Sequence, residues 1–298
     1  VPVYYVNRSA VSIVLGQPRI FPFYGDTVVR AYVPQTAVAP GDSVAIWVAV
    51  RTVHNLINRT PIFIPTNHPT GPVVINPTYQ GRYSKAYYTA TENLEEGPLR
   101  NALKTIVTAN ALSLGYNTAR DHMYGTIDNV AGQVECVYTG RVATFNTRAG
   151  AVTNDFNCEH TFPQSFFGSA NPMQSDLHHL FSTDESANTY RSNLPFGVVT
   201  GTPTWQVGGS KKGNGVFEPR DVHKGNAGRA LLFFVVRHQD YANFVAPQEV
   251  LLRQWHRQFL PVAKDIARNN AIYSLQGNRN PLVDYPQFER RITQFIGP

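Results

Sequence analysis

From residue 1 to about 80 the chain alternates short apolar runs with turn formers. The runs are Val11-Ser-Ile-Val-Leu, Thr27-Val-Val-Arg-Ala-Tyr-Val, Ser43-Val-Ala-Ile-Trp-Val-Ala-Val, Pro61-Ile-Phe-Ile-Pro and Pro72-Val-Val-Ile, parted by Pro, Gly, Asn and Asp. β-Branched and aromatic residues at this spacing predict short strands and a small β-sandwich. Tyr79-Gln-Gly-Arg-Tyr-Ser is the predicted joint, giving domains 1–80 and 81–298. Beyond it the apolar period becomes helical. Gly97 to Val107 carries Leu99, Ala102, Leu103 and Ile106 on one helical face. Residues 227–238, 247–259 and 266–275 read as further helices, and in the second Val250, Leu251, Trp255 and Phe259 are expected to form one face. The second region is therefore expected to be mixed, with helices dominating a few strands.

Composition narrows the class. Of 298 residues, 42% are hydrophobic and 15% charged. That is enough apolar material for a core and too little charge for a disordered chain. Charge falls below the usual ~25%, so amides, hydroxyls and Tyr must supply the polar surface, as in many secreted proteins. A net charge of +6 and a pI near 9.3 favour polyanionic partners. The longest strongly apolar run, 230–236, is far short of the ~20 residues that span a bilayer. The opening VPVYYVNRS has neither a basic n-region nor a long apolar h-region, so the expectation is a mature or cut chain without a signal peptide. Cys136 and Cys158 fit no CxxC metal pattern. Paired, they would close a loop of about 23 residues, worth ~3 kcal/mol on the chain-entropy model. Unpaired, they are two buried thiols, and composition does not choose between these.

Candidate chemistry is concentrated between 157 and 193. Three of the nine histidines lie between 160 and 179, in NCEHTFPQSFF and SDLHHLF, followed by ANTYRSN. The chain has no HExxH zinc helix, no GxSxG elbow and no Walker loop. Cys158 lies two residues before His160, which is no evidence of a dyad. Asp176, His178 and His179 suggest zinc, but adjacent strand residues point to opposite faces, so at most one of the two histidines is a ligand. What remains is Glu159-His160 and, 28 residues after the histidine, Asn188. One carboxylate and one carboxamide are hard oxygen donors that suit Mg²⁺, an ion that keeps several waters. A neutral imidazole near that ion, but not bound to it, can take a proton from water. Phosphodiester cleavage needs this base and this cation.

Six blocks in order carry a family resemblance: NCEHTFPQSFF, SDLHHLFSTD, ANTYRSNLPFG, FEPRDVHKGNAGRALLFFVVR, LLRQWH and RNNAIYSLQGNRNPLVDYP. Together they resemble the bacterial endonuclease I family, secreted or periplasmic non-specific nucleases with a ββα-metal (His-Me finger) site. The resemblance runs from about Tyr87 to Pro286 and implies an active enzyme. It implies that His160 is the general base, that Glu159 and Asn188 hold Mg²⁺, with Mn²⁺ or Ca²⁺ as alternatives, and that products carry 5′-phosphates. Upstream, VAPGDSVAIWV and IFIPTNHPTGPVVI resemble immunoglobulin-like modules of the Hydin type, implying an accessory role. The expected architecture is thus multi-domain: an all-β immunoglobulin-like sandwich, then an α+β nuclease domain with an embedded ββα-metal motif.

One departure matters. Periplasmic members carry a cysteine-rich insert after the EH block that supplies an Arg to the scissile phosphate; residues 161–174 contain neither Arg nor Cys. Arg191 and Arg229 are the expected substitutes, with pairing to an acid as the alternative for Arg191; Arg279, in a loop read as structural, and Lys211 and Lys212, at a solvated hairpin tip, are the further candidates for phosphate contact. Beside the resemblance, a Cys136–Cys158 bridge is favoured, since it would pin the first strand of the site. His178 and His179 are expected to be structural, and Asp176 an orienting acceptor or a turn residue. The expected partner is DNA and also RNA, without a membrane, for a monomer that is secreted or periplasmic. The alternatives are a nucleic-acid- or surface-binding protein with a lapsed site and a small-substrate phosphodiesterase.

Overall fold

The computed structural model describes residues 2–20, 28–33, 37–51, 57–59, 62–68, 72–75, 78–80, 85–238 and 242–296. Thr27, Pro61, the 69–71 part of the second module turn and the 81–84 part of the predicted joint lie outside the described residues. The chain divides into two compact units, Val1–Tyr87 and Tyr88–Pro298.

The first unit holds β1 (Pro2–Val6), β2 (Ile13–Val14), β3 (Arg19–Ile20), β4 (Val28–Tyr32), β5 (Ala37–Val38), β6 (Ser43–Arg51), β7 (Ile57–Arg59), β8 (Ile62–Ile64), β9 (Val73–Ile75) and β10 (Thr78–Gln80). β6 is central between β1 and β4, and β8 between β3 and β9; every pairing is antiparallel. Along β6, Val44 and Ile46 are buried while Trp47 is exposed, the period-two pattern of a sheet with one covered face. The core is Ile13, Leu15, Val33, Val38, Val44, Ile46, Ile62 and Ile64. Gly41 sits at φ +82°, in the turn that precedes β6. Its N–H donates to the Asn7 carbonyl at 2.8 Å, which ties this turn to the end of β1.

The second unit is α+β. Its helices are α1 (Lys85–Tyr88), α2 (Glu96–Ala109), α3 (Tyr116–His122), α4 (Arg148–Thr153), α5 (Glu185–Arg191), α6 (Asp221–His238), α7 (Ala242–Val245), α8 (Glu249–Gln258), α9 (Ala263–Gln276) and α10 (Pro281–Asp284), the first of them reaching back across the boundary between the units. Three small antiparallel sheets join them: β11 (Asn129–Val130) with β12 (Gln133–Glu135) and β13 (Val142–Thr144); β14 (Phe156–His160) with β15 (Leu180–Asp184); and β16 (Trp205–Val207) with β17 (Ser210–Gly213) and β18 (Val216–Glu218). None of the described helices is long and apolar enough to cross a membrane.

α6 is the centre of the unit, with an unbroken buried run from Ala227 to Arg237. α8 packs against it closely because α6 presents Gly225 and Gly228. A Cβ on Gly228 would lie 2.7 Å from the Leu252 carbonyl oxygen, and one on Gly225 would lie 2.1 Å from that of Phe259. This contact corrects the expected face of α8. Val250 is 84% exposed, and the buried positions are Leu252, Trp255 and His256. A polar residue takes the inner position because His256 Nε2 donates to the Pro286 carbonyl at 2.9 Å. On α2 the buried residues are Leu99, Leu103 and Val107.

Candidate active site

β14, β15 and the helix that follows directly, α5, bring the flagged residues together. β14 pairs with β15 in register, Cys158 opposite Ser182 and Glu159 opposite Phe181. Alternation sends Asn157 and Glu159 to one face, Cys158 to the other. α5 leaves β15 at Asp184 and carries Asn188 back over β14. The Asn188 amide nitrogen donates to Asn157 Oδ1 at 2.8 Å and to the Cys158 carbonyl at 3.3 Å. A carbonyl can only accept, so the amide orientation is fixed and Oδ1 points away.

Glu159 is 1% exposed. Its Oε1 accepts from the Tyr138 hydroxyl at 2.7 Å and lies 3.3 Å from Arg191 Nε. Burial pushes its carboxyl pKa up, against the pull of Arg191 and Tyr138. Arg191 is fully buried and donates to the carbonyls of Thr161 at 2.5 Å and Ser192 at 2.9 Å. It therefore braces the end of β14 and neutralises Glu159.

His160 ends the strand. Its Nε2 lies 3.1 Å from the Gln174 carbonyl. An acceptor there requires the proton on Nε2 and leaves the Nδ1 lone pair as the basic site. Burial lowers its pKa to about 4, with Arg191 and Arg120 adding to the effect against the Gln174 bond. The imidazole is neutral at pH 7. The turn Met173–Ser175 serves two histidines: Gln174 offers its carbonyl to His160, and Met173 offers its own to His179 Nε2 at 2.7 Å.

Behind this turn Asp176 anchors a buried network. It accepts from Arg237 at 2.5 Å, from Gln276 at 2.8 Å and from the His178 N–H at 3.1 Å. Burial alone would raise its pKa; Arg237, His238 and His178 outweigh that and hold it well below the usual carboxylate range. His178 Nε2 faces the Asn278 carbonyl at 3.2 Å. Both histidines thus face backbone carbonyls in the core.

Glu159 Oε2 and Asn188 Oδ1 accept no hydrogen bond among the described residues, while the other polar atom of each side chain is fixed. That leaves two oxygens of the kind Mg²⁺ takes, with water completing the shell. No cluster of three or more His, Cys, Asp or Glu capable of holding a metal occurs among the described residues, and a two-ligand site needs none. The residues fit the ion.

The profile of the Endonuclease I family matches residues 97–287. The chain belongs to the endonuclease I family. It is a nuclease, and like its relatives an extracellular or periplasmic protein. It is 29% identical over 227 residues to an extracellular ribonuclease of Bacillus subtilis (strain 168), covering 69% of this chain and 77% of that one. An extracellular ribonuclease of Bacillus amyloliquefaciens is 28% identical over 244 residues, 75% of this chain and 82% of that one. An extracellular deoxyribonuclease of Aeromonas hydrophila is 32% identical over 120 residues, 38% of this chain and 51% of that one.

In this endonuclease the other flagged cations lie elsewhere. Arg229 is 2% exposed and donates to the Phe259 carbonyl and Asn226, with Asp265 at 3.4 Å; burial lowers its pKa to about 10. Its contacts knit α6 to α8 and α9, not to Glu159. Arg279 makes a two-pronged pair with Asp284 at 2.6 Å. Lys212 lies 5.8 Å from the ring centre of Tyr190 on α5.

The expected disulfide is absent, since both cysteines are free. Cys136 Sγ contacts Thr183, and Cys158 Sγ contacts Met123 at 3.9 Å. Thr183 and Cys158 leave opposite faces of the ribbon, so the ribbon stands between the thiols. Sequence reasoning missed Tyr138, the Gln174 carbonyl and Arg120. The guanidinium of Arg120 lies 4.2 Å from the Tyr116 ring centre, and that ring lies 5.3 Å from His160. Tyr138 follows Cys136 by two residues in an unremarked turn. No spacing rule connects it to Glu159.

Proposed function

We propose that this chain is a Mg²⁺-dependent, sequence-non-specific endonuclease that hydrolyses DNA and RNA with His160 as general base and leaves 5′-phosphate ends. The observation that carries the reading is the contact of His160 Nε2 with the Gln174 carbonyl at 3.1 Å, which leaves Nδ1 as the basic site on a ring whose pKa burial lowers to about 4. Glu159 and Asn188 would hold the cation through Oε2 and Oδ1. Mn²⁺ should substitute, since it also favours oxygen ligands. β14, β15 and α5 form the ββα-metal motif in this reading.

His160 Nδ1 takes the proton of a water whose oxygen attacks phosphorus, and the bond to the 3′ oxygen breaks on the far side. In-line displacement needs its base and its leaving-group stabiliser on opposite sides of phosphorus. Glu159 and His160 are adjacent on one strand, which supports that division. A cation held by Glu159 and Asn188 would supply the charge that stabilises the transition state and the departing oxygen. Arg191 is occupied by backbone carbonyls, so Arg120 is the better reading for the cation on the His160 side. Relatives named as a ribonuclease and as a deoxyribonuclease support action on both sugars. Phosphate contacts then dominate binding, which makes it salt-sensitive. The N-terminal unit is read as an accessory immunoglobulin-like module, and the enzyme as a monomer.

The test is digestion of supercoiled plasmid and of RNA with Mg²⁺ or with EDTA, followed by end analysis. Cleavage of both only with Mg²⁺, with ligatable 5′-phosphates, is expected. Cleavage in EDTA, or 3′-phosphate ends, contradicts the mechanism.

A further inference from the structure

We propose that Tyr138 is a positioning residue that, with Arg191, reserves one oxygen of Glu159 for the cation and so favours Mg²⁺ and Mn²⁺ over Ca²⁺. The inference rests on the metal-site reading above. Two groups converge on the same atom: the Tyr138 O–H donates to Oε1 at 2.7 Å, and Arg191 Nε forms an ion pair with it at 3.3 Å. Oε2 receives neither. A carboxylate with one oxygen so occupied can offer a cation only the other. Ca²⁺ takes six to eight oxygens and often a bidentate carboxylate; Mg²⁺ is content with one or two carboxylate oxygens and water at near-octahedral geometry. Single-oxygen ligation beside one carboxamide is the poorer offer to the larger ion.

The hydroxyl is held in place by parts of the fold outside β14, β15 and α5. Tyr138 is 0% exposed. Its ring lies 4.7 Å from Phe217 on β18 and 5.6 Å, edge-on, from His223 on α6. Its carbonyl accepts from Ser210 Oγ on β17 at 2.7 Å. The same Ser210 hydroxyl accepts from the Arg220 N–H at 2.9 Å. Phe217 in turn stacks on Trp205 at 5.8 Å, and Trp205 on Tyr190 of α5 at 5.1 Å. One file of rings therefore runs from the residue that orients Glu159 to the helix that carries Asn188. The β16–β18 sheet thereby fixes both ligands relative to each other, a rigid arrangement that penalises an ion needing more ligands. Partners that orient a metal ligand typically matter 10- to 100-fold in metal affinity.

The experiment is calorimetric titration of the full chain with Mn²⁺ and with Ca²⁺, without substrate, for wild type and Tyr138→Phe, with thermal unfolding of both in EDTA. Wild type should bind Mn²⁺ more tightly than Ca²⁺. Tyr138→Phe keeps the ring and loses the hydroxyl. Its Mn²⁺ dissociation constant should rise about 10- to 100-fold, its Ca²⁺ constant should rise less, and its cation-free unfolding should stay cooperative. Equal Mn²⁺ affinity in both proteins overturns the proposal, as does equal weakening for both ions. Should the variant not fold, wild type still decides: tighter binding of Ca²⁺ than of Mn²⁺ overturns the selectivity. Measurable Mn²⁺ binding without any cleavage of nucleic acid would defeat the nuclease reading and leave this one standing.

Discussion

The two units of the chain solve burial differently. Among the described residues of the first, the core is aliphatic and Asn7 is the buried polar side chain. The second encloses Glu159, Asp176, Arg191, Arg229, Arg237 and Glu289, together with five histidines. Ionised groups in a core are costly unless paired and hydrogen-bonded. The nuclease unit meets that cost with hydrogen-bonded and paired networks, and one member, Arg191, also pairs with Glu159. A sheet packed only by Val, Leu and Ile has no such groups to aim. Chemistry and buried polarity thus go together in this molecule, and the contrast can be broken or sharpened by experiment.

Acid should separate the units most. Burial lowers the pKa of His160, His178 and His256 to about 4, and of His179 and His223 to about 3. Each folded value lies below the unfolded value near 6.5. The unfolded chain therefore binds more protons on acidification, and stability held above pH ~6.5 is lost as pH falls toward 4. Calorimetry from pH 8 to pH 4 should show the nuclease transition falling steeply. The first unit has no buried histidine among its described residues, and its transition should move less. Parallel shifts of the two would break the contrast.

A smaller effect comes from single partners. Arg237→Ala leaves Asp176 buried without its cation, and should cost the nuclease unit about 3–5 kcal/mol in urea unfolding. Asn7→Ala removes the bonds to the Val11 and Val38 carbonyls and should cost the first unit about 1–3 kcal/mol. A third contrast lies within α8. Leu252→Ala should cost about 2–5 kcal/mol; Val250→Ala, at an exposed site, should stay within about 0.5 kcal/mol. Equal losses would restore the face expected from periodicity.

That face shows where sequence reading stops. Helical period places Val250 and Trp255 on one side, yet α8 packed on α6 turns His256 inward to the Pro286 carbonyl and leaves Val250 exposed. Glu159, His160 and Asn188 were legible as candidates because their donors sit in side chains at a readable spacing, and β14, β15 and α5 bring Glu159 and Asn188 close together. The Gln174 carbonyl was illegible, since any residue supplies a carbonyl. Tyr138 was illegible too, because the register of β14 against a distant turn decides what its hydroxyl meets. Arg191 was legible as a nearby cation, but its burial against the carbonyls of His160, Thr161 and Ser192 was not. The disulfide expectation failed on the same point: separation along the chain says nothing about which face of a ribbon each thiol takes.

His160 is proposed as the neutral base of a metal-assisted hydrolysis. The most direct measurement is plasmid cleavage in Mg²⁺ by wild type and by His160→Ala, with folding of the variant checked by thermal unfolding. The variant should fold, and its rate should fall about 10²–10⁴-fold. A folded His160→Ala that cleaves at the wild-type rate would contradict that role.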